Sequence, residues 1–190
     1  ELTQPSADYR VVGKTIILPD GNVVQPDLQV PGSFNISNAA CALAAALEFG
    51  VGLADALAGM HTVTSPAGRF ATTNFGSTTA RLLLAKNPAG WAEALPLAGS
   101  DPVILAIDAV AADGKDVSWL WDVDYEQLAG RHVVCTGPRA QDLAVRLSYA
   151  GVEHEIEPDL RTALGERHAA VDVIATYTPF QALLKMAGLR

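Results

Sequence analysis

From Thr79 to Ala187 the chain alternates short apolar runs with segments of helical character. Thr79–Ala85, Pro102–Asp108, His132–Thr136 and Val171–Thr176 are almost unbroken apolar runs, and Val152–Ile156 alternates as a strand does. Between them, Pro88–Leu97, Pro138–Ala150, Asp159–Leu164 and Pro179–Ala187 read as helices. Strands without polar alternation are buried on both faces, and strands joined through helices run parallel. The alternation therefore predicts an α/β fold, a mostly parallel Rossmann-like sheet with helices on both faces. Its clearest helix is 138–150, where Ala140, Leu143, Ala144 and Leu147 recur at i, i+3, i+4 and i+7. In such sheets ligands bind at the carboxyl ends of the strands, here the loops after Ala85, Asp108, Thr136 and Thr176.

The preceding residues follow another plan. Arg10–Leu18 is β-rich, Pro19-Asp20-Gly21-Asn22 is a turn signal, and Val23–Val30 returns, which predicts a hairpin. Pro31-Gly32 punctuates, and Ser33 or Asn35 can cap an Ala-rich helix over Ile36–Phe49 that Gly50 ends. A short helix fits Leu53–Met60. Ser65-Pro66-Ala67-Gly68 is a breaker, so we expect one domain over 1–68 and another over 69–190. The chain opens on Glu1 without an initiator Met, as a fragment would.

Charge and composition exclude some classes of function. Thirteen Lys and Arg against 21 Asp and Glu leave a net charge of −8, which makes no general surface for nucleic acid or an acidic membrane. Any phosphate must be held by local groups. Cys41 and Cys135 both lie in apolar runs and read as buried thiols of a cytosolic protein. His61, His132, His154 and His168 are too scattered for zinc-ligand spacing, so no metal site is expected. No uncharged apolar run approaches the roughly 18 residues that span a bilayer, and no signal peptide opens the chain.

Several segments can carry chemistry. Gly13-Lys14-Thr15 imitates the end of a phosphate-binding loop, but Asp8 stands where the leading glycine is required and the tripeptide falls inside a strand pattern. Asn35 and Asn38, three apart at a helix start, can turn both amides to one ligand, and an amide's paired donor and acceptor suit an adenine edge; plain helix capping also accounts for them. Arg69 follows Gly68 at the domain junction, where an arginine can reach a phosphate or simply lie on the surface. Lys86-Asn87-Pro88-Ala89-Gly90 joins a strand to a helix start, which makes either an anion site or an ordinary capped turn. The stretch 108–126 carries six acids (Asp108, Asp113, Asp116, Asp122, Asp124, Glu126) against Lys115 alone, with Trp119 and Trp121 among them. Acidic loops are often merely solvated, but two tryptophans in one suit a docked partner.

In this order the segments resemble the C-terminal part of a Mur ligase, specifically of the MurT type. The resemblance rests on Gly32-Ser33-Phe34-Asn35-Ile36-Ser37-Asn38-Ala39, on Gly68-Arg69 and on Leu84-Ala85-Lys86-Asn87-Pro88-Ala89-Gly90. It also rests on Ala112-Asp113-Gly114-Lys115-Asp116-Val117-Ser118-Trp119-Leu120-Trp121-Asp122, the most diagnostic run, and on Thr176-Tyr177-Thr178. It implies the tail of a central ATPase domain over 1–68 and the Mur ligase C-terminal domain over 69–190. It implies amidation of the D-glutamate α-carboxylate of lipid II to D-isoglutamine, in peptidoglycan synthesis. ATP with Mg²⁺ would activate the carboxylate as an acyl phosphate, and the glutaminase GatD would supply ammonia from glutamine.

Carried over by position, Asn35 and Asn38 match adenine-contacting asparagines and Arg69 an arginine that reaches nucleotide phosphates. Lys86 and Asn87 match a loop that closes over nucleotide and acyl phosphate. Asp116, Asp122 or Asp113 would complete the glutaminase's Cys-His pair, and Trp119 and Trp121 would meet that partner. The sequence departs from other Mur ligases at Leu83, where they carry an Asp that contacts ribose. The family's phosphate-binding loop and four-cysteine zinc ribbon would precede Glu1, so this chain alone is expected not to turn over ATP. The expected location is the cytoplasm, at the inner face of the membrane. Two alternatives stand beside this reading: a folylpolyglutamate-synthase-like ligase that adds an amino acid, and a docking module without chemistry of its own.

Overall fold

The computed structural model describes residues 7–64, 69–165 and 170–189. The predicted breaker at 65–68, including Gly68, and His168 lie outside the described residues. The chain divides into two compact units, Glu1–Pro66 and Ala67–Arg190.

In the first unit, β1 (Arg10–Val12), β2 (Thr15–Ile17) and β3 (Val23–Val24) form an antiparallel meander. The expected single strand over 10–18 is thus two strands. Gly13 adopts φ +58°, a left-handed conformation that lets Gly13-Lys14 reverse the chain, with Val12 opposite Thr15. The Gly-Lys-Thr tripeptide is this turn. Helix α1 (Phe34–Glu48) lays Ile36, Ala39, Ala40 and Leu43 against Ile16, Leu18 and Ala56, the last from α2 (Leu53–His61). Gly50 ends α1 in the left-handed region: its N–H reaches Leu47 O and that of Val51 reaches Ala46 O, at 3.0 Å each. Cys41 lies off the buried stripe and is exposed, contrary to the expectation of two buried thiols; Cys135 is buried.

The second unit is a sheet of six strands among the described residues: β4 (Phe70–Phe75), β5 (Thr78–Leu84), β6 (Val103–Ala106), β7 (Val133–Thr136), β8 (His154–Ile156) and β9 (Ala170–Ala175). The spatial order is β4-β5-β9-β6-β7-β8, with β4 antiparallel to β5 and the other pairings parallel. Alternate residues serve opposite faces. Leu105 and Ile107 pack with Trp91, Leu95, Leu143 and Leu147 on one side, and Ile104 and Ala106 with Leu164, Phe180 and Leu183 on the other. Helices α3 (Pro88–Ala94) and α4 (Ala140–Tyr149) cover the first face, α5 (Leu160–Leu164) and α6 (Tyr177–Met186) the second. The last part of the expected helix 88–97 tightens into a 3-10 turn at Leu95–Leu97, where Pro96 follows the helix. As expected, Asn87 caps α3, its Oδ1 accepting from Gly90 N–H at 2.9 Å. Asp159, read as the first residue of its helix, is instead the cap of α5, accepting from Thr162 N–H at 2.8 Å.

The connection from β6 to β7 holds no α-helix. It crosses the first face as 3-10 turns at Ser118–Asp122 and Tyr125–Leu128. Leu120, Val123, Tyr125 and Leu128 are buried beneath it, with Val117 and Trp119 packed alongside. The acidic loop is therefore an anchored layer of the domain.

Candidate functional site

The carboxyl ends of β5, β6, β7 and β9 gather the loops that the sequence pointed to. The connections leaving β5 and β9, adjacent strands, pass to opposite faces of the sheet, the arrangement that opens a crevice in folds of this kind. Lys86 and Asn87 follow β5, and both are exposed. Asn87 Oδ1 is engaged as the α3 cap, so its acceptor is turned to the helix.

Two polar links join the acidic loop to the start of α6. Asp108 N–H donates to Thr176 Oγ1 at 3.0 Å, and Thr178 N–H donates to Asp113 Oδ1 at 2.8 Å. Thr178 lies in the first turn of α6, whose amides lack partners within the helix, so a carboxylate is well placed there. Asp113 is only 6% exposed, and its Oδ2 meets no hydrogen-bond donor among the described residues. Gly137, after β7, completes the floor: Ile107 O lies 2.6 Å from where a Cβ would stand.

The three aspartates expected to serve a glutaminase are placed differently. Asp113 is buried and held. Asp116 is exposed, and its Oδ1 accepts from Ser118 N–H at 2.8 Å. That bond, with a further one from the Ser118 side chain, holds its carboxyl below the usual range. Asp122 is exposed at the end of the 3-10 turn. Trp119 is half-buried, its ring centroid 6.1 Å from that of Trp91 in the core. Trp121 is 54% exposed and meets Tyr149 of α4 edge-on at 5.3 Å.

Sequence reading missed the group beneath these aromatics. Arg146 of α4 is only 7% exposed. It donates to Val123 O at 2.8 Å and to Glu126 Oε2 at 2.9 Å, and its guanidinium lies 5.7 Å from the Trp121 ring and 5.5 Å from the Tyr125 ring. The Arg146 hydrogen bond lowers the Glu126 pKa to about 2. Only the position of Arg146 beside Leu147 in the apolar stripe of α4 could have signalled its burial.

In the first unit the two asparagines share a face of α1 as their spacing predicts. Asn38 Nδ2 donates to Asn35 Oδ1 at 3.2 Å, and Asn35 Nδ2 donates to Pro31 O at 2.5 Å. Asn35 is half-buried and pre-set; Asn38 is exposed. Neither is the N-cap, which is Ser33. Arg69 is exposed just before β4, and its carbonyl accepts from Leu84 N–H at 3.0 Å. Among the described residues no group of three or more His, Cys, Asp or Glu could hold a metal ion, and no helix is long and apolar enough to cross a membrane.

Residues 84–180, which hold Lys86, Asn87 and the acidic loop, match the family described as MurT ligase C-terminal. The chain belongs to that family. A relative from Staphylococcus aureus (strain COL), named lipid II isoglutaminyl synthase (glutamine-hydrolyzing) subunit MurT, is 35% identical over 134 residues. The alignment takes in 67% of this chain and 31% of the relative. A protein of the same name from Streptococcus pneumoniae (strain ATCC BAA-255 / R6) is 28% identical over 196 residues, covering 92% of this chain and 43% of its own. The chain therefore spans less than half the length of these MurT relatives. Among solved structures, MurF from Acinetobacter baumannii matches with a TM-score of 0.64 at 17% identity, over 96% of this chain and 44% of that one. MurC from Thermotoga maritima matches with a TM-score of 0.63 at 15% identity, over 94% and 43%. The fold is that of the Mur ligases.

Proposed function

We propose that this chain is part of a ligase subunit that amidates the D-glutamate α-carboxylate of lipid II to D-isoglutamine. ATP is the activating co-substrate, and ammonia comes from a GatD-type glutaminase bound to the subunit. The work is done in the cytoplasm, at the inner face of the membrane. Membership of the MurT family and the names of its relatives support the reading. The observation that carries it is the acidic loop: an anchored layer that presents Asp116, Asp122 and Trp121 to solvent.

Each group has a role that its surroundings favour. A carboxylate is a poor acyl donor, and phosphorylation gives it a leaving group. Asn35 and Asn38 would hold the adenine edge, the pre-set Asn35 fixing the orientation of Asn38. Arg69 and Lys86, both exposed cations, would meet phosphates. Asp116 is ionised at neutral pH as any exposed carboxyl is, and the Ser118 hydrogen bonds favour that charged form further. An ionised carboxylate is an acceptor only, suited to take the N–H of a partner's imidazole and fix its tautomer.

The test uses the complete ligase subunit with its glutaminase, supplied with either glutamine or ammonium. Asp116→Asn is expected to lower glutamine-driven amidation by about 100-fold or more and to leave ammonium-driven amidation within about twofold. If both rates survive in Asp116→Asn and in Asp122→Asn, the loop does not serve the glutaminase. A wild-type complex that adds an amino acid and not ammonia would establish the alternative ligase reading.

A further inference from the structure

The Thr176-Tyr177-Thr178 segment has no role in the chemistry above, yet it makes the two polar links to the acidic loop. Between Ile107 and Val117 no residue of that loop belongs to the apolar core, among the described residues. Val110, Ala111, Ala112, Gly114 and Lys115 are exposed. Hydrophobic burial therefore cannot hold this stretch. Within it, Asp113 N–H and Gly114 N–H both donate to Val110 O, at 2.9 and 3.0 Å, which forms a local turn. Among the described residues, the links from the stretch to the start of α6 are Asp108 N–H to Thr176 Oγ1 and Thr178 N–H to Asp113 Oδ1. Both acceptor side chains are buried, Thr176 at 1% and Asp113 at 6% exposure, so water competes poorly for these bonds. The carboxylate also sits at the favourable end of the α6 dipole. Three residues beyond Asp113 stands Asp116.

We propose that Asp113 and Thr176 are positioning residues that clasp the acidic loop to the β9–α6 junction and so set where Asp116 stands toward the partner's catalytic pair. This rests on the glutaminase-coupled reading above. It assigns Asp113 no contact with the partner. Asp113 acts through its hydrogen bond to Thr178 N–H, and its charge strengthens that bond without taking part in the chemistry. A carboxylate that must meet an imidazole loses its effect when displaced by about 1 Å, so a loosened clasp lowers one rate selectively.

The experiment places Asp113→Ala, Asp113→Asn and Thr176→Val in the complete subunit, assayed with its glutaminase. Glutamine-driven and ammonium-driven amidation are measured side by side, with partner affinity and thermal melting as controls. Asp113→Ala is expected to lower glutamine-driven kcat about tenfold and leave the ammonium-driven rate within about twofold. Asp113→Asn keeps a carbonyl acceptor for Thr178 N–H and is expected to recover most of that loss. Thr176→Val is nearly isosteric and removes only the Oγ1 acceptor, so it tests the clasp even if Asp113→Ala misfolds; a selective loss of about threefold is expected. Equal loss of both rates, or none, overturns the clasp. So does Asp113→Asn proving as damaging as Asp113→Ala, since the charge itself would then be at work. A wild-type complex without glutamine-driven amidation takes down the functional reading and the clasp together, whereas an active wild type with unaffected variants removes the clasp alone.

Discussion

A carboxylate removed from water needs donors, and Asp172 in β9 has them on both oxygens. Arg81 Nε donates to Oδ1 at 2.6 Å, and Gly99 and Ser100 N–H donate to Oδ2 at 2.8 Å each. Burial raises its pKa, but these bonds outweigh burial and leave it lowered. Arg81 stands directly opposite on β5 and also donates to Leu97 O, so the pair fixes the loop that leads into β6. Removing one partner of a buried pair strands the other. Asp172→Ala is expected to cost about 3 kcal/mol, the low end of the range because Arg81 is partly exposed; urea unfolding measures it. Asp172 and Glu126 both titrate lower in the folded chain than in the unfolded one. Each contribution is complete above the unfolded carboxyl pKa and is lost as pH falls through the lower folded one, for Glu126 from about 4.5 toward about 2. Urea midpoints between these limits should fall with pH, and Glu126→Gln should flatten that slope. An unchanged slope in Glu126→Gln would show that its bond to Arg146 contributes nothing.

At the scale of elements, the turn from β7 into α4 fixes the site end of the sheet. Gly137 adopts φ +88°, and the space for a Cβ is taken by Ile107 O at 2.6 Å. Both conditions exclude an L side chain, and the obstruction is backbone, which cannot swing aside. Gly137→Ala is expected to destabilise the second unit by more than about 1 kcal/mol, read as a lower denaturation midpoint. A change within error would mean that β6 and β7 separate at this end without penalty. The elements themselves were largely legible. Helix α4 was visible in its apolar period, and α3 in its cap. The split of the first strand was less so, because Gly13 reads equally as an interruption within a strand and as a turn. Whether a glycine turns the chain depends on the register its neighbours find. Cys41 was misread because its apolar neighbours masked the helical period; the stripe Ile36, Ala39, Ala40, Leu43 passes it by.

At the scale of the molecule, the two tryptophans of one loop divide between stability and surface. Trp119 packs on Trp91, which is fully buried and also meets Tyr125 at 5.7 Å. Trp121 lies outside with Tyr149, and Val145 one turn earlier on α4 is exposed as well. Trp119→Ala should therefore destabilise the domain by about 3 kcal/mol. Trp121→Ala should change stability by less than about 1 kcal/mol and, on the proposed function, weaken the complex with the glutaminase about tenfold or more. Thermal melting and calorimetric titration of the complex separate the two. Unchanged affinity in Trp121→Ala would place the partner elsewhere on the domain.

Sequence alone determined the fold class, most of the order of strands and helices, and the stretches from which a candidate site could be drawn; it missed the edge strand β4 and the split of the first strand. Apolar period, cap residues and turn residues are local properties, written over a few neighbouring positions. The tertiary structure decided what each candidate side chain faces. The three aspartates of the acidic loop look alike in sequence, separated by two and five residues. Asp113 is buried because α6, more than sixty residues away, brings the Thr178 amide to it. Asp116 is exposed and pinned by its own neighbour, and Asp122 is exposed at the end of a turn. The burial of Arg146 and the split between Trp119 and Trp121 likewise depend on elements distant in the chain. Such contacts are set by how the layers pack, and no local pattern encodes them.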